Sequence, residues 1–453
     1  MTRKLAGKSF SLEAGAALEA ATALPFKLYV VYLISFFIHL PERIAPLGLI
    51  RFDFILVLLI TYLIFASKVS TGPKLDSASK YLFAIFVYAI VTLPIVEWPG
   101  SVINRGLIEF IKGAIFYFFT VNLVVSERRL KVVVYVFVVC NLIRIIEPLI
   151  LNLTMGYLGS ETYLGDGDFA GRLAGAPSDT INPNGLAFVI ATVFPFLHYV
   201  VSPINKKMFF LYVISVPVLL YTMGLTLSRS GALAIAIIAF GVFVKSKRKL
   251  LLSLIGVAGV IVITMSLNDI QKDRYMSLVS HDTRQSASAE GRIDGWWRDF
   301  RVAMNRPIVG HGLGTSREAN WNVAGKDQIS HILWAEVWQE IGFIGLVLFI
   351  LYLVSMIKNF RLAGKYVSSF SKDDFLYRSV QAMQVWLLMN MLFSLASFGL
   401  KSYEWYFFGG LSVVIYKLAK YKRDCNRSEQ IYDVVSETGF DRFPLIKRLK
   451  EYK

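Results

Sequence analysis

Long apolar runs recur along the chain and are separated by short polar segments. A helix needs about 20 mostly apolar residues to cross a bilayer, and a helix satisfies its backbone hydrogen bonds internally. The runs that fit this requirement are Phe26–Leu40, Leu47–Ala66, Tyr81–Val96, Leu107–Val125, Val132–Leu151, Leu186–Val201, Met208–Leu225, Ala232–Val244, Leu250–Met265, Ile332–Ile357, Val380–Leu400 and Trp405–Lys417. The pattern predicts an all-α integral membrane protein with about twelve transmembrane helices.

The basic residues are distributed unevenly about these runs. If the N-terminus is cytoplasmic, most of the 48 lysines and arginines fall on cytoplasmic turns, as the positive-inside rule requires. Both termini are then predicted to be cytoplasmic. The predicted organisation is an N-terminal tail (1–25), nine helices (26–265, with an outer loop at 152–185), a second outer loop (266–330), three helices (331–417) and a C-terminal tail (418–453).

Composition agrees with this architecture and excludes other classes. Of 453 residues, 55% are hydrophobic and only 18% are charged, which excludes a disordered chain, a fibre and an ordinary cytosolic enzyme. The net charge of +16 is carried by residues that flank apolar runs, so a nucleic-acid partner is not indicated. The basic N-terminus is read as an uncleaved signal anchor. Cys140 and Cys425 cannot form a disulfide framework, and no metal-ligand spacing is present.

The second outer loop contains a predicted amphipathic helix. In GRIDGWWRDFRVAMNRP, one side carries apolar residues, namely Ile293, Trp296, Trp297, Phe300 and Met304. The helix is expected to end at Asn305-Arg306-Pro307, because proline disfavours helical backbone in the residue before it. GHGLGTS follows as a turn. A nucleotide-binding role for GHGLG is rejected, since no strand precedes it and it is predicted to lie outside the cytoplasm.

Arg229 is a candidate for binding an anionic substrate. It lies in LTLSRSGALA, where a predicted outward-going span ends and the next one begins. Its neighbours Ser228, Ser230 and Gly231 are small, so a ligand oxygen could approach closely. Guanidinium groups match phosphate oxygens with two parallel donors. The alternative is an arginine that merely extends its charged end to the membrane surface.

His331 opens the tenth span at the outer interface. It shares a predicted helical face with Trp334, Ala335 and Trp338. It could act as a general base on an incoming hydroxyl, or it could be an interfacial histidine within an aromatic belt. Glu336 and Glu340 lie deeper in the same helix and are expected to need partners within the membrane.

Other charges within apolar runs are expected to be mostly structural. Glu109 and Lys112 are spaced i,i+3, as are Arg144 and Glu147, and both spacings favour ion pairs. Arg51 and Asp53 are spaced i,i+2, do not face each other, and are therefore expected to have partners on other helices.

Several motifs follow one another on the predicted outer side. SRSG ends at Gly231, R-x-x-x-W-x-x-x-F begins at Arg292, NRPIVGHGLG begins at Asn305, and SHILWAEVWQEIGFIGL begins at Ser330. This order resembles the O-antigen ligase and O-antigen polymerase superfamily of bacterial envelope glycosyltransferases. RLAG and NPNGLA, between the fifth and sixth spans, extend the resemblance more weakly.

The resemblance implies a GT-C-like fold with a large, partly helical periplasmic loop, and metal-independent, inverting transfer of a glycan from undecaprenyl diphosphate to an acceptor hydroxyl. It implies that Arg229 and Arg292 grip the donor diphosphate and that His331 activates or orients the acceptor. Arg172, in the first outer loop, is a further candidate for substrate binding. Additional substrate contacts are predicted for Arg284, Arg298, Arg301, Trp296 and Trp334.

The implied location is the bacterial inner membrane, with the active site at its periplasmic face and without a cofactor. The implied partners are the lipid-linked oligosaccharide, a glycan or lipid A–core acceptor, membrane lipids and other proteins of polysaccharide assembly. Polymerase and ligase differ in the acceptor, and the sequence leaves both open. A transporter or flippase of an anionic lipid-linked glycan, and a scaffold in an envelope complex, are the alternative functions.

Overall fold

The computed structural model describes residues 17–67, 76–165, 168–246, 249–250, 253–254, 286–330, 332–394 and 399–437. His331, Arg284 and most of the ninth predicted run lie outside these residues. The structure is 78% helical and contains little sheet, in agreement with the predicted fold class.

The described helices follow the apolar runs closely. The longer ones are α1 (Ala23–Ile38), α2 (Phe52–Ala66), α3 (Ser77–Val91), α4 (Leu107–Leu123), α5 (Glu127–Met155), α6 (Pro183–Phe196), α7 (Lys206–Leu225), α8 (Arg229–Lys245), α9 (Ser286–Asn305), α10 (Ser316–Ala324), α11 (Leu333–Val367), α12 (Phe375–Phe393) and α13 (Tyr403–Glu437). Short helices occur at Leu40–Arg43, Ala45–Leu49 and Pro99–Ser101, and π-helical turns at Val102–Gly106 and Leu197–Val201.

Five helices among the described residues are long and apolar enough to cross a membrane. They are Pro99–Leu123, Glu127–Met155, Pro183–Val201, Lys206–Leu225 and Leu333–Val367. Ala23–Ile38, Phe52–Ala66 and Ser77–Val91 are apolar but shorter. The protein is therefore a helical membrane protein, while the count of twelve spans and the GT-C-like arrangement stay predictions.

A β-hairpin in the first outer loop was not predicted from the sequence. Strand β1 (Gly159–Gly165) pairs antiparallel with β2 (Asp168–Leu173), with Tyr163 opposite Phe169 and Ser160 opposite Arg172. Arg172 is buried, whereas Tyr163 and Phe169 are exposed. Successive side chains of a strand point to opposite faces, so one face of the hairpin packs against the bundle and the other is free of it.

Polar contacts tie helix ends together at the end of the bundle that is predicted to be cytoplasmic. Lys422 of α13 forms ion pairs with Glu127 at the start of α5 and with Asp374, the N-cap of α12. Arg129 donates to the Thr22 hydroxyl at 2.8 Å, next to the start of α1. These contacts bring the starts of α1, α5 and α12 to the same end of the bundle as Lys422 of α13.

The interior of the bundle is aromatic. Phe137 of α5 packs against Phe196 of α6 and against Phe407 and Phe408 of α13, with ring centroids 5.5–5.6 Å apart. Trp386 of α12 stacks on Phe408 at 3.6 Å. These large, fully buried rings bring α5, α6, α12 and α13 to one centre and fix their spacing.

Helix α11 is interrupted near its start by a kink at Gly342. This glycine has φ 64° and ψ −172°, a conformation that few other residues adopt. The kink frees the backbone N–H of Phe343, which donates to the Pro307 carbonyl at 2.8 Å. The segment after α9 therefore inserts against the kink, and α9 ends at Asn305, as the sequence predicted.

Candidate active site

Arg229 lies at the beginning of α8, where the backbone turns sharply back into the bundle. Ser228 is the N-cap, and its hydroxyl accepts a hydrogen bond from the Gly231 N–H at 3.1 Å. A Cβ at Gly231 would lie 2.6 Å from the Ala187 side chain, so only glycine lets α8 approach α6 this closely. Arg229 itself is buried. The SRSG motif thus combines a helix cap, an arginine and a close helix–helix approach.

Arg172 reaches the same turn from the hairpin. Its Nε donates to the Thr226 carbonyl at 2.9 Å, and its Nη2 donates to Asn184 Oδ1 at 2.9 Å. Asn184 Oδ1 also accepts from the Ser228 hydroxyl at 2.9 Å. One amide oxygen therefore joins Arg172 to the residue that precedes Arg229.

This cluster lies beside two helix N-termini, those of α6 at Pro183 and α8 at Arg229. The N-terminus of a helix carries a partial positive charge and free backbone N–H groups. Two arginines and two such termini make this part of the structure strongly attractive to an anion.

The residues that flank position 331 are held between α9 and the end of α12. The Ser330 hydroxyl donates to Asp299 Oδ2 at 2.7 Å, and the backbone N–H of Leu333 donates to the Ser394 carbonyl at 3.2 Å. Ser330, Asp299 and Ile332 are all buried. The chain is therefore held in place by hydrogen bonds on both sides of position 331, at Ser330 and at Leu333.

Position 292 belongs to the same helix as Asp299. The two are seven residues apart in α9, which is two helical turns, so they share a face of an ideal helix and lie about 10 Å apart along its axis. Asp299 contacts Ser330, so at Asp299 this face of α9 is turned towards the start of α11.

The arginine cluster and the start of α11 lie at the same end of the bundle. Lys245, at the end of α8, donates to Gln381 and Gln384 near the middle of α12, both at 2.7 Å, so the two helices are antiparallel and the start of α8 is level with the end of α12. Phe188, close to Asn184 in α6, packs against Phe393 at the end of α12 at 4.8 Å. Ser394, the residue after Phe393, accepts the hydrogen bond from the backbone N–H of Leu333.

Four other residues predicted to contact the substrate are exposed or have their described contacts elsewhere. Arg298 donates to Gln328 Oε1 at 3.2 Å and lies 3.5 Å from Asp299 Oδ1, so it is engaged within the loop. Arg301 and Trp296 are exposed on other faces of α9 than Asp299. Trp334 is half-buried and packs edge-on against Phe349 of its own helix, with ring centroids 6.5 Å apart.

Asn184 was missed as a functional candidate. It lies in the N-P-N-G segment, where Asn182 caps α6 by accepting from the Gly185 N–H at 2.8 Å. Asn184, the second asparagine of the segment, is not needed for the cap. An asparagine beyond the capping one is therefore the feature of the sequence that could have suggested another role for Asn184.

The two glutamates of α11 hold loops at the outer end of the bundle. Glu336 Oε2 accepts from the backbone N–H groups of Gly399 and Leu400 at 3.0 and 3.2 Å, and Glu340 Oε2 accepts from Gly314 at 2.8 Å. Their partners are therefore backbone groups of loops. Burial disfavours the charged form of Lys401 nearby, but the carboxylates of Glu340 and Glu109 prevail and raise its pKa.

The two predicted i,i+3 ion pairs are wrong. Glu109 pairs with Lys401 at 2.7 Å rather than with Lys112. The i,i+3 spacing within α4 favours a pair with Lys112, but Lys401, which is distant in sequence, places its charge closer to the Glu109 carboxylate.

The other predicted pair is replaced by two long-range pairs. Arg144 forms a bidentate pair with Asp179 of the first outer loop, at 2.6 and 3.0 Å, and Glu147 pairs with Arg43, with one N–O distance of 2.8 Å. His39 Nδ1 lies 3.6 Å from Asp179 Oδ1. The buried pair of Arg144 with Asp179 fastens the first outer loop to α5, and the pair of Glu147 with Arg43 joins α5 to the short helix after α1. As predicted, Asp53 has a partner on another helix, the Ser35 hydroxyl of α1 at 2.5 Å.

Within the described part of the chain, no group of three or more His, Cys, Asp or Glu side chains is arranged to hold a metal ion. The geometry of the cluster favours recognition of an anion by guanidinium groups and amide donors.

Comparison with known proteins supports the superfamily resemblance. Residues 213–350 match a family model described as O-Antigen ligase. This segment contains α8 with Arg229, the whole second outer loop with α9, and the first half of α11. No curated protein sequence matches the chain. Residues 213–350 are therefore similar in sequence to the O-antigen ligase family, which confirms the resemblance to the O-antigen ligase and polymerase superfamily.

Proposed function

We propose that this protein transfers a glycan from an undecaprenyl diphosphate carrier to an acceptor hydroxyl at the periplasmic face of the bacterial inner membrane. The observation that carries the proposal is the hydrogen-bond network around Asn184, which joins Arg172 to the turn that bears Arg229. The O-antigen ligase match over the same turn supports a glycosyltransferase rather than another anion-binding membrane protein.

In this reaction Arg229, Arg172 and Arg292 hold the donor diphosphate. As the bond from the sugar to the diphosphate breaks, negative charge grows on the leaving oxygens. Guanidinium groups and helix N-termini that are already oriented stabilise that charge more strongly in the transition state than in the bound donor. The lipid tail of the carrier stays in the bilayer beside the helices, so the diphosphate is held at their ends.

His331 takes the proton of the acceptor hydroxyl. The acceptor oxygen attacks the anomeric carbon from the side opposite to the diphosphate, one C–O bond forms as the other breaks, and the anomeric configuration inverts. The products are the extended glycan and the carrier diphosphate. A positioned general base contributes about 10²–10⁴ in rate. The acceptor is either a second lipid-linked repeat or lipid A–core, which correspond to polymerase and ligase activity.

The test uses the purified full-length protein in detergent with an undecaprenyl-diphosphate-linked oligosaccharide and candidate acceptors. We expect release of the carrier diphosphate. Arg229→Ala and Arg292→Ala should each lower the rate about 10²–10³-fold, by analogy with the loss of one oriented donor, and His331→Ala about 10²–10⁴-fold. Arg229→Lys, which keeps the charge but loses the forked geometry, should recover only part of the loss.

Arg361→Ala is the matched control, because this arginine is exposed on α11 at the opposite end of the bundle. It should retain the wild-type rate. Wild-type release by all three site variants would contradict the proposed residue roles. An intact donor in the presence of every acceptor would contradict the reaction itself and would favour transport.

A further inference from the structure

Helix α9 has three distinct longitudinal sides in the part from Asp294 to Asn305. One side is buried against the protein and contains Gly295, Asp299, Val302 and Ala303. At 100° per residue, the exposed remainder of the helix divides into two sectors. One sector is apolar and contains Trp296, Trp297, Phe300 and Met304. The other is polar and contains Asp294, Arg301 and Asn305, with the partly buried Arg298 at its edge.

The packed side of α9 is fixed by polar contacts, so the direction of the two exposed sectors is also fixed. Asp299 contacts Ser330, and its backbone carbonyl accepts from the Gln339 amide at 2.9 Å. The Val302 carbonyl lies 3.0 Å from Nε2 of the buried His311. With these anchors in place, α9 cannot turn its apolar sector into the protein.

The apolar sector continues into the exposed apolar surface of α11. Phe300 packs edge-on against Trp338 at 5.7 Å, and Trp338 packs against Phe343 at 6.3 Å. The Pro307 carbonyl accepts from both the Trp338 indole at 3.0 Å and the Phe343 backbone. A continuous series of aromatic contacts therefore connects Phe300 of α9 to Phe343 of α11.

After the kink at Gly342, α11 exposes a stripe of apolar residues spaced three or four apart, which places them on one face of the helix. The stripe consists of Phe343, Val347, Ile350 and Val354. Leu333–Val367 is long and apolar enough to cross a membrane, so an exposed apolar stripe on it is a surface that faces lipid. Ile308, which is 63% exposed, lies between this stripe and the apolar sector of α9.

We infer that α9 is an interfacial helix whose apolar sector is inserted into the lipid bilayer at the candidate-site end of the bundle. Trp297, Phe300 and Met304 then lie at the boundary between headgroups and acyl chains, and Arg301 and Asp294 face water. The occupant is bilayer lipid because the sector is continuous with the lipid-facing stripe of α11. An apolar sector bordered by a polar one is the pattern of helices that lie in the plane of a membrane. This inference does not depend on the proposed reaction.

The test places a reporter on each exposed sector of α9 in the full-length protein, reconstituted into liposomes. Cys140 and Cys425 are replaced by Ala, and Met304→Cys or Asn305→Cys is labelled with an environment-sensitive fluorophore. The two positions are adjacent in sequence but lie 100° apart on the helix, so they form a matched pair. Size-exclusion profiles establish that both variants are folded.

We expect nitroxide lipids to quench the label at 304 roughly twofold or more over the label at 305, and aqueous iodide to quench in the opposite order. A label at 304 that iodide reaches freely would contradict the inference. A label at 304 protected from both iodide and nitroxide lipids would also overturn it, because another protein or a second copy would then cover the sector. Equal lipid quenching at both positions would show that the polar sector does not face water.

Discussion

Asn184 is a small neutral residue that holds two charged or polar groups at the candidate site. Its amide oxygen accepts from Arg172 and from Ser228 at 2.9 Å each, and it is itself close to the start of α6. A guanidinium that is fixed before the substrate arrives needs no rearrangement as charge develops. Asn184 is therefore a positioning residue in the proposed reaction.

We expect Asn184→Ala to lower transfer by about 10–100-fold, because a hydrogen bond to a charged group contributes about 1.5–3 kcal/mol. Asn184→Asp keeps an acceptor oxygen and should recover part of the rate. The measurement is the release of carrier diphosphate under single-turnover conditions. Asn322→Ala serves as the control, since Asn322 is exposed on α10 and bonds only a nearby carbonyl among the contacts described. Unchanged kinetics of Asn184→Ala would remove this residue from the site.

The pair formed by Arg144 and Asp179 should matter for stability rather than for chemistry. Both side chains are almost fully buried, and removing one partner of a buried pair costs about 3–5 kcal/mol because the other charge is left without compensation. We expect Asp179→Ala to lower the thermal stability of the purified protein substantially, and the double variant Arg144→Met, Asp179→Leu to recover much of that loss.

The exposed pair between Arg317 and Asp327 provides the comparison. It has a similar bidentate geometry, with distances of 2.5 and 2.7 Å, but both side chains are about half exposed. Exposed pairs contribute little to stability. Asp327→Ala should leave the melting temperature close to the wild-type value. If Asp179→Ala also left the melting temperature unchanged, the buried pair would not hold the first outer loop in place.

At the scale of elements, the kink in α11 determines how the second outer loop is attached. Gly310 and Gly342 approach so closely that a Cβ at Gly310 would lie 2.5 Å from the Gly342 nitrogen. A Cβ at Gly342 would lie 2.2 Å from the Ile308 carbonyl oxygen. The loop between α9 and α10 is thus packed backbone against backbone on the kink, which leaves no room for a side chain.

We expect Gly342→Ala to displace this loop, because alanine is disfavoured at a φ of 64° and its methyl group would overlap Ile308. Hydrogen exchange should increase across residues 306–314. Gly325→Ala is the control for a glycine of positive φ without the steric contact: its φ of 65° and ψ of 20° lie in the left-handed helical region and no atom lies within 4 Å of an added Cβ, so only a backbone cost of about 1–2 kcal/mol applies. Similar exchange in the two variants would mean that the steric contact is unimportant.

The helices could be predicted from the sequence, because each apolar run must satisfy its own backbone hydrogen bonds. The amphipathic helix that ends at Asn305 could also be predicted, because its one-sided apolar pattern and the following Pro307 are local features of the sequence. The hairpin at 159–173 was not, since its residues are mostly polar or glycine and its pairing depends on packing against α6. The kink at Gly342 was also missed, because a lone glycine in an apolar run gives no indication of a loop that will pack against it.

Ion pairs were the least predictable feature. Local spacing assigned Glu147 to Arg144, whereas the structure pairs Glu147 with Arg43 and Arg144 with Asp179. Partners more than 30 residues away are set by helix packing, which a linear pattern does not contain. For the candidate site, the small neighbours of Arg229 made it a candidate from the sequence, but its connection to Arg172 through Asn184 required the fold.

At the scale of the whole molecule, the two ends of the bundle differ in charge. The turn between α11 and α12 and the residues beside it carry Lys358, Arg361, Lys365, Lys372 and Arg378, with Asp373 and Asp374 as the nearby acids. The opposite end of α11 carries α10, where Arg317 and Lys326 are balanced by Glu318 and Asp327. The positive-inside rule therefore predicts a cytoplasmic turn after α11 and a periplasmic α10.

This difference predicts opposite accessibility for two exposed residues on either side of α11, Asn322 and Ser369. After the kink at Gly342, the part of α11 from Phe343 to Val367 has 25 residues and is about 37 Å long, which exceeds a hydrocarbon core of about 30 Å, so we expect this part to separate them. In a chain whose native cysteines are replaced, a membrane-impermeant maleimide should label Asn322→Cys in intact spheroplasts and Ser369→Cys only after permeabilisation. Labelling in the reverse order would invert the topology and move the arginine cluster to the cytoplasm, where a donor presented at the periplasmic face could not reach it. Labelling of both from one side would mean that α11 does not cross the membrane.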